Sequence, residues 1–261
     1  MMFSMERVHG QPGAQVHLVL DGPRSRRPGR LATVVVEELA YRIINGTFPE
    51  GAVLPPEPAL CDEFHFSRTV IREGLKLLQE RGLVRVEQGR GTSVQPRESW
   101  DLLDPVVLRI ALACDDEMVL LDDLIAVRRL LECEMAHAAA TRLTEDELAT
   151  LAENVEQMAS SMGDYEQFRL FDLAFHAAVM KASGSEIGRT IVRTIHLHAR
   201  QAPHITAPGA RASLERTVSD HRAIHEALAA RDGELAAART AAHIDVGWAE
   251  RRGNRFSSAQ S

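Results

Sequence analysis

The sequence predicts a mainly α-helical protein, with an N-terminal winged helix-turn-helix and a C-terminal all-α helical bundle. Two observations carry this. Between residues 54 and 95 a short helix, a tight connection, a second helix and a strand-turn-strand hairpin follow one another. From Met118 onward apolar residues recur at helical spacing through an Ala- and Leu-rich stretch, with no sustained strand alternation. A chain of 261 residues has room for two modest domains, each with its own core.

Residues 1–30 are rich in Gly, Pro and Arg without periodicity and read as a disordered arm. Arg24, Arg26, Arg27 and Arg30 there suit either phosphate contacts or a solvated tail. The head is expected over 31–96. Its first helix runs from about Leu31 to Asn45, with Val35, Leu39 and Ile43 as the apolar stripe and Asn45-Gly46 as the stop. Leu54-Pro55-Pro56-Glu57 leads into a segment ending at Phe64, and His65-Phe66 connect it to the next helix. Ser67 is a good N-cap for that helix, because its hydroxyl can accept from the free amides of the first turn. Arg68 and Arg72 lie four apart and share one face, while Val70, Leu75, Leu77 and Leu78 supply the other. The helix closes at Arg81-Gly82, and Gly89 and Gly91 bracket Arg90 at the tip of the hairpin.

A capped helix opening with two arginines suits the major groove, where Arg reads guanine or grips phosphate. Ser67, Thr69, Arg90, Gly91 and Thr92 complete the expected DNA-contacting set. Each residue alone fits a solvated helix or an ordinary hairpin equally well; it is their order that favours DNA. The charge agrees once divided. The net charge of −7 splits into +1 over residues 1–95 and −8 over 96–261, and Arg68 to Arg90 holds six basic residues against three acidic ones. Local basicity, not a basic whole, is what DNA binding needs. Cys61, Cys114 and Cys133 lack metal-knuckle or redox spacing and read as reduced thiols of a cytoplasmic protein. No apolar run has bilayer length, so no membrane association is expected.

Residues 97–117 read as a linker helix beginning near Trp100 and continuing to Leu112. A bundle of about six helices is expected over 118–250, with a flexible tail at 251–261. Leu143-Thr144-Glu145-Asp146-Glu147 shows a Thr cap with acidic residues in the first turn. The later helices carry a metal-like set. Asp172 and His176 are four apart on one face, His221 follows further on, and His243 sits near the end. One carboxylate and three imidazoles in a bundle interior suit a divalent metal with open positions. Histidines on helices are also often surface or hydrogen-bonded residues, His225 competes with His221, and His196 and His198 are further candidates.

The ordered motifs resemble the FadR-type branch of the GntR family of bacterial transcription regulators, from residue 31 to about 248. In the head the resemblance rests on Leu-Pro-x-Glu at 54–57, Ser-Arg-Thr-x-x-Arg-Glu at 67–73, Arg-Gly-Leu-Val at 81–84 and Gly-Arg-Gly-Thr at 89–92. In the bundle it rests on Arg128-Arg129-Leu130-Leu131-Glu132, Asp172-x-x-x-His176, His221-Arg222-Ala223-Ile224 and Ala242-His243. It implies a FadR C-terminal-type effector domain in which Asp172, His176, His221 and His243 hold the metal, His221 rather than His225 being the ligand. Zinc is the first expectation, with nickel or manganese also fitting. It further implies that Arg128 pairs with a small carboxylate effector, against a purely helix-stabilising pair with Glu132. The segment from Trp100 to Leu108 is similar to that of sugar-acid (D-galactonate-type) repressors. Pro58 departs from relatives with a polar or basic residue near this helix start, which shifts expected DNA contacts to Arg68, Arg72 and the wing. The whole implies a non-enzymatic repressor, a homodimer on a palindromic operator in double-stranded DNA. The alternatives are a metallohydrolase fused to a DNA-binding domain, or a regulator whose metal is purely structural.

Overall fold

A computed structural model of the chain describes residues 28–116, 118–199 and 211–258. The expected arm, with Arg24, Arg26 and Arg27, lies outside the described residues apart from its last positions. The head comprises α1 (Pro28–Ile44), α2 (Glu57–Phe64), α3 (Arg68–Glu80) and the hairpin β1 (Val84–Glu87) with β2 (Gly91–Val94). The two strands are antiparallel, pairing Val84 with Val94 and Glu87 with Gly91. Val53 adds a single bridge to Ser93. The helix begins at Pro28, earlier than the apolar stripe indicates, because proline in a first turn loses no helical hydrogen bond.

Each element is closed by local chemistry. His65 ends α2 in the left-handed region at φ 55, and the Ser67 hydroxyl accepts from Val70 N at 3.5 Å as α3 begins. Val35, Val36 and Leu39 of α1, Leu60 of α2, Ile71 and Leu78 of α3 and Leu83 of the hairpin form one core. Gly74 lets α1 approach α3, since a Cβ there would lie 2.7 Å from Val35 Cγ1.

The linker differs from expectation. Arg97–Ser99 form a single 3-10 turn, and α4 runs only from Pro105 to Ala113. Asp104 sets that start: its Oδ1 accepts from Val106 N and Val107 N, and Pro105 occupies the first turn. Val107 and Ile110 of α4 pack into the head core, while Leu108, Ala111 and Leu112 pack against Leu120, Leu121 and Leu124. This short helix therefore belongs to both hydrophobic cores.

The bundle comprises α5 (Val119–Ala140), α6 (Glu145–Ser160), α7 (Tyr165–Ala182), α8 (Glu186–Ala199), α9 (Arg211–Ala229) and α10 (Gly233–Ser258). The Thr144 cap is a reciprocal capping box with Glu147. The last helix does not stop near residue 250 but continues to Ser258. Its end is tied to α5, because Trp248 Nε1 donates to Asp122 Oδ1 at 2.8 Å and Arg252 pairs with the same carboxylate.

Gly82 offers the sharpest test of the head. Its φ is +72, and a Cβ would fall 1.9 Å from the carbonyl oxygen of Ser99. Gly82→Ala combines left-handed strain with a backbone overlap, so it should destabilise the protein by at least about 2 kcal/mol. Urea denaturation of the full chain measures this; a change below about 0.5 kcal/mol would contradict the packing described.

Candidate metal centre and DNA-reading face

Helical spacing builds the centre from three elements. Asp172 and His176 are one turn apart on α7, and α9 and α10 pack alongside to add His221 and His243. Each offers a ligand atom, and the four atoms lie within 4.8 Å of one another. His176 and His221 are buried, and the Phe175 ring stands edge-on to His221 at 4.6 Å.

The hydrogen bonds say which nitrogen of each ring carries the proton. His221 Nδ1 lies 2.7 Å from the Thr217 carbonyl oxygen, and His243 Nδ1 lies 3.3 Å from Asp220 Oδ2. His176 Nδ1 faces Glu132 Oε2 at 3.2 Å. All three partners are acceptors to which Nδ1 can donate, and in that tautomer the Nε2 atoms of His221 and His176 turn a lone pair toward Asp172. His221 Nε2 and His176 Nε2 lie 3.3 Å and 3.7 Å from Asp172 Oδ1, and His221 Nε2 is buried with no hydrogen-bond donor. Lone pairs facing a carboxylate repel one another, and a divalent cation at their centre relieves this. The residues present thus fit a metal.

Burial opposes ionisation of Asp172, but contact with His221 and the field of His176 and His243 outweigh it and hold its carboxyl well below the usual range. Burial pushes His243 down to about 4, so its imidazole is neutral at pH 7, the form that ligates.

Behind the four residues lies Glu132, only 3% exposed. Its Oε1 accepts from Arg128 Nε at 2.6 Å and from His196 Nε2 at 2.8 Å, while Oε2 faces His176. Burial raises its pKa, yet Arg128 and the two histidines more than compensate and keep it ionised. Burial and then Arg128 lower His196 to about 4. His196 therefore braces Glu132 and is not one of the four converging residues. His225 is elsewhere, its Nε2 bound to the Leu148 carbonyl at 3.1 Å, and the side chain of His198 lies outside the described residues. Arg128 makes the Glu132 pair through Nε, which does not occupy the two Nη groups at the end of its guanidinium.

The opposite end of the chain presents the α3 face. Arg68, Thr69 and Arg72 are exposed together, with Lys76 one turn further on, and Arg90 stands at the wing tip between Gly89 and Gly91. Thr92 requires a correction. It is 9% exposed and its carbonyl accepts from Leu54 N, so it supports the wing from inside rather than facing outward. The sequence reading also omitted Glu57, whose carboxylate holds Arg72 Nε at 2.8 Å and 3.1 Å. Glu132 and Asp220 were likewise missed as partners of the centre, and His196, a candidate ligand from the sequence, contacts Glu132 instead. An acidic residue one turn from a helical Arg looks like a surface pair, and nothing in spacing alone reveals its burial.

Two openings flank these features. A groove of about 490 Å³ between the linker and α5 includes Asp115, Asp116 and Asp123, an acidic lining that disfavours anions. The void beside Glu132, His176 and Thr240 is about 10 Å³, room for roughly one water.

Comparison with known proteins adds to this geometry. Residues 31–94 match the family described as bacterial regulatory proteins, gntR family, and residues 123–246 match the FCD domain. The chain is 31% identical over 202 residues to the galactonate operon transcriptional repressor of Escherichia coli K12, covering 77% of this chain and 88% of that protein. It is 32% identical over 206 residues to the HTH-type transcriptional regulator LutR of Bacillus subtilis 168, covering 77% and 92%. A solved structure described as Lar, which controls the Listeria monocytogenes agr system, aligns with a TM-score of 0.53 at 19% identity, covering 87% of this chain and 97% of that one. That last likeness shows the fold alone.

Glu132 should matter even without metal. Glu132→Ala removes the carboxylate that Arg128, His176 and His196 face and leaves a half-buried guanidinium without it, a loss of about 3 kcal/mol. Glu132→Gln, which keeps one acceptor, should lose less. Denaturation in the presence of chelator measures both, and an alanine variant within about 1 kcal/mol of the parent would refute the role.

Proposed function

The chain belongs to the bacterial GntR family of transcription regulators, with an FCD effector domain behind its DNA-binding head, and we propose that it is a metal-containing repressor that leaves its operator when a small organic acid binds. It is a regulator, as its relatives are, and not an enzyme. Among the described residues no helix is long and apolar enough to cross a membrane.

The observation that carries the reading is the convergence of one ligand atom each from Asp172, His176, His221 and His243 within 4.8 Å, with Nδ1 of each ring facing an acceptor. Asp172, His176, His221 and His243 would hold the ion, zinc being favoured by three imidazoles and one carboxylate. When bound, the ion supplies a Lewis-acidic point that attracts a carboxylate. Arg128 is fixed by Glu132 through Nε, so its Nη groups remain to meet the same acid as a planar fork. The sugar-acid class is supported by the galactonate repressor, whose name assigns galactonate to that protein's operon.

In the head, Arg68 and Arg72 would touch bases or phosphates, with Ser67, Thr69, Arg90 and Gly91 alongside. Glu57 pre-orders Arg72, lowering the entropy lost on reading a base. A homodimer would set two such helices in successive major-groove faces of a palindromic site. The acid must favour one arrangement of the heads, since equal affinity for both shifts nothing. α5 bears Arg128 and Glu132 and packs on α4, which packs on the head, so a shift of α5 has a direct route to α3.

Three measurements test this. His221→Ala should lower the metal content of purified protein from about one ion per chain to near background in elemental analysis; unchanged content would remove His221 from the centre. Arg72→Ala should weaken specific operator binding by about 1–3 kcal/mol. Operator release by aldonic acids should disappear when chelator is added, and release that persists with chelator would separate the acid site from the metal.

A further inference from the structure

Single exposed apolar residues are ordinary on a protein surface, but a contiguous strip of them calls for a cover. α5 and α8 pack side by side, and their outward sides carry such a strip. Leu130 is 69% exposed and Ile187 74%, with Val127 and Leu197 exposed on the same two helices. Leu130 stands about 200° around α5 from Glu132, which faces the metal centre, so it points away from the bundle. α8 is anchored inward by Val192 and Ile195, both buried, which leaves Ile187 and Leu197 outside. The seam between the helices continues the strip. Leu131 packs on the cluster of Met135 and Val192, and Ile191 on that of Leu124 and Ile195, yet both are only half-buried.

The charges around the strip are divided by helix. Asp123 and Glu134 of α5 and Arg189 and Arg193 of α8 are exposed, and among the described residues none of these side chains has an ion-pair partner. Other charges nearby are committed: Arg129 is held by Asp245 at 3.0 Å, and Asp122 by Trp248 and Arg252. Glu186 stands in the first turn of α8, where the helix dipole favours an acid. α5 therefore presents unpaired acids beside the strip, and α8 unpaired bases.

The levels of these charges match as well. A Cβ at Gly188 would lie 3.4 Å from Met135 Sδ, so Arg189 and Glu134 sit at the same height on the two helices. Ile195 clusters with Leu120, Leu121 and Leu124, so the helices run antiparallel and Arg193 lies nearer the Asp123 end. A two-fold axis parallel to the pair lays α5 of one protomer over α8 of its partner, and α8 over α5. Each Glu134 then faces the partner's Arg189, each Asp123 lies toward the partner's Arg193, and the apolar strip closes on itself. A surface that is attractive to its own copy is what an isologous contact requires.

We propose that the α5–α8 face is where a second copy of this chain docks, with Leu130 and Ile187 as its apolar anchors and Glu134 against the partner's Arg189 as the reciprocal pair that sets the register. This rests on the reading of the chain as a homodimer and names the surface that makes it one. α5 then carries Arg128 and Glu132 on its inner side and the partner on its outer side. A displacement of α5 at the cavity is thereby passed to the spacing of the two heads.

Analytical ultracentrifugation of the full-length protein over a range of concentrations tests it. The parent should sediment as a dimer of 28.8 kDa chains. Leu130→Glu and Ile187→Glu should each weaken association at least about thirtyfold, as loss of a central apolar anchor does. Glu134→Arg and Arg189→Glu should each weaken it at least about tenfold by setting like charges together. The double variant carrying both swaps should return to within about threefold of the parent, a rescue that misfolding cannot produce. All variants should keep the helical circular dichroism of the parent. Apolar variants that dimerise like the parent, or a double swap no better than the single ones, overturn this inference while the homodimer itself stands. A parent that stays monomeric overturns both and leaves the face to a different protein.

Discussion

Three imidazoles and a carboxylate bring one ligand atom each to within 4.8 Å of one another, a crowding of electron-rich atoms that a cation among them would relieve. The helical half is arranged around that constraint. α7 contributes two of the four because residues four apart share a face, while α9 and α10 contribute one each only because the bundle packs them together. Each ring is turned by its other nitrogen: Thr217 turns His221, Asp220 turns His243 and Glu132 turns His176. These outer partners make the convergence specific, since an imidazole turned over would present a proton instead of a lone pair.

Glu132 joins this centre to the rest of the molecule. One carboxylate touches a converging histidine, a bracing histidine and Arg128. Anything that draws on Arg128 therefore alters the support of His176 in the same event. The same helix packs through Leu120, Leu121 and Leu124 against α4, whose other side lies in the head core. Local electrostatics and a shared hydrophobic contact thus lie on one short path between the cavity and α3.

Much of this was visible in the residues. The head was readable because capping, turn glycines and helical apolar spacing act locally, and Ser67, Gly89 and Val70 each behave as their chemistry requires. The pair Asp172 and His176 was readable from spacing, whereas choosing His221 over His225 took a family resemblance, because both lie on α9 and only packing separates them. Glu132 looked like an ordinary partner for Arg128; its burial is a tertiary fact. The last two turns of α10 looked like a tail because the sequence there is polar, and the contacts of Trp248 and Arg252 with the distant carboxylate of Asp122 are not visible in spacing. The linker was misread at Asp104-Pro105, where a cap and a proline begin a new helix instead of continuing one.

X-ray absorption spectroscopy on protein purified without added metal addresses the central claim most directly. The account predicts a first shell of nitrogen and oxygen scatterers at about 2.0–2.2 Å, with the outer-shell pattern of three imidazoles. Sulfur scatterers at about 2.3 Å, or no bound divalent ion at all, would contradict it.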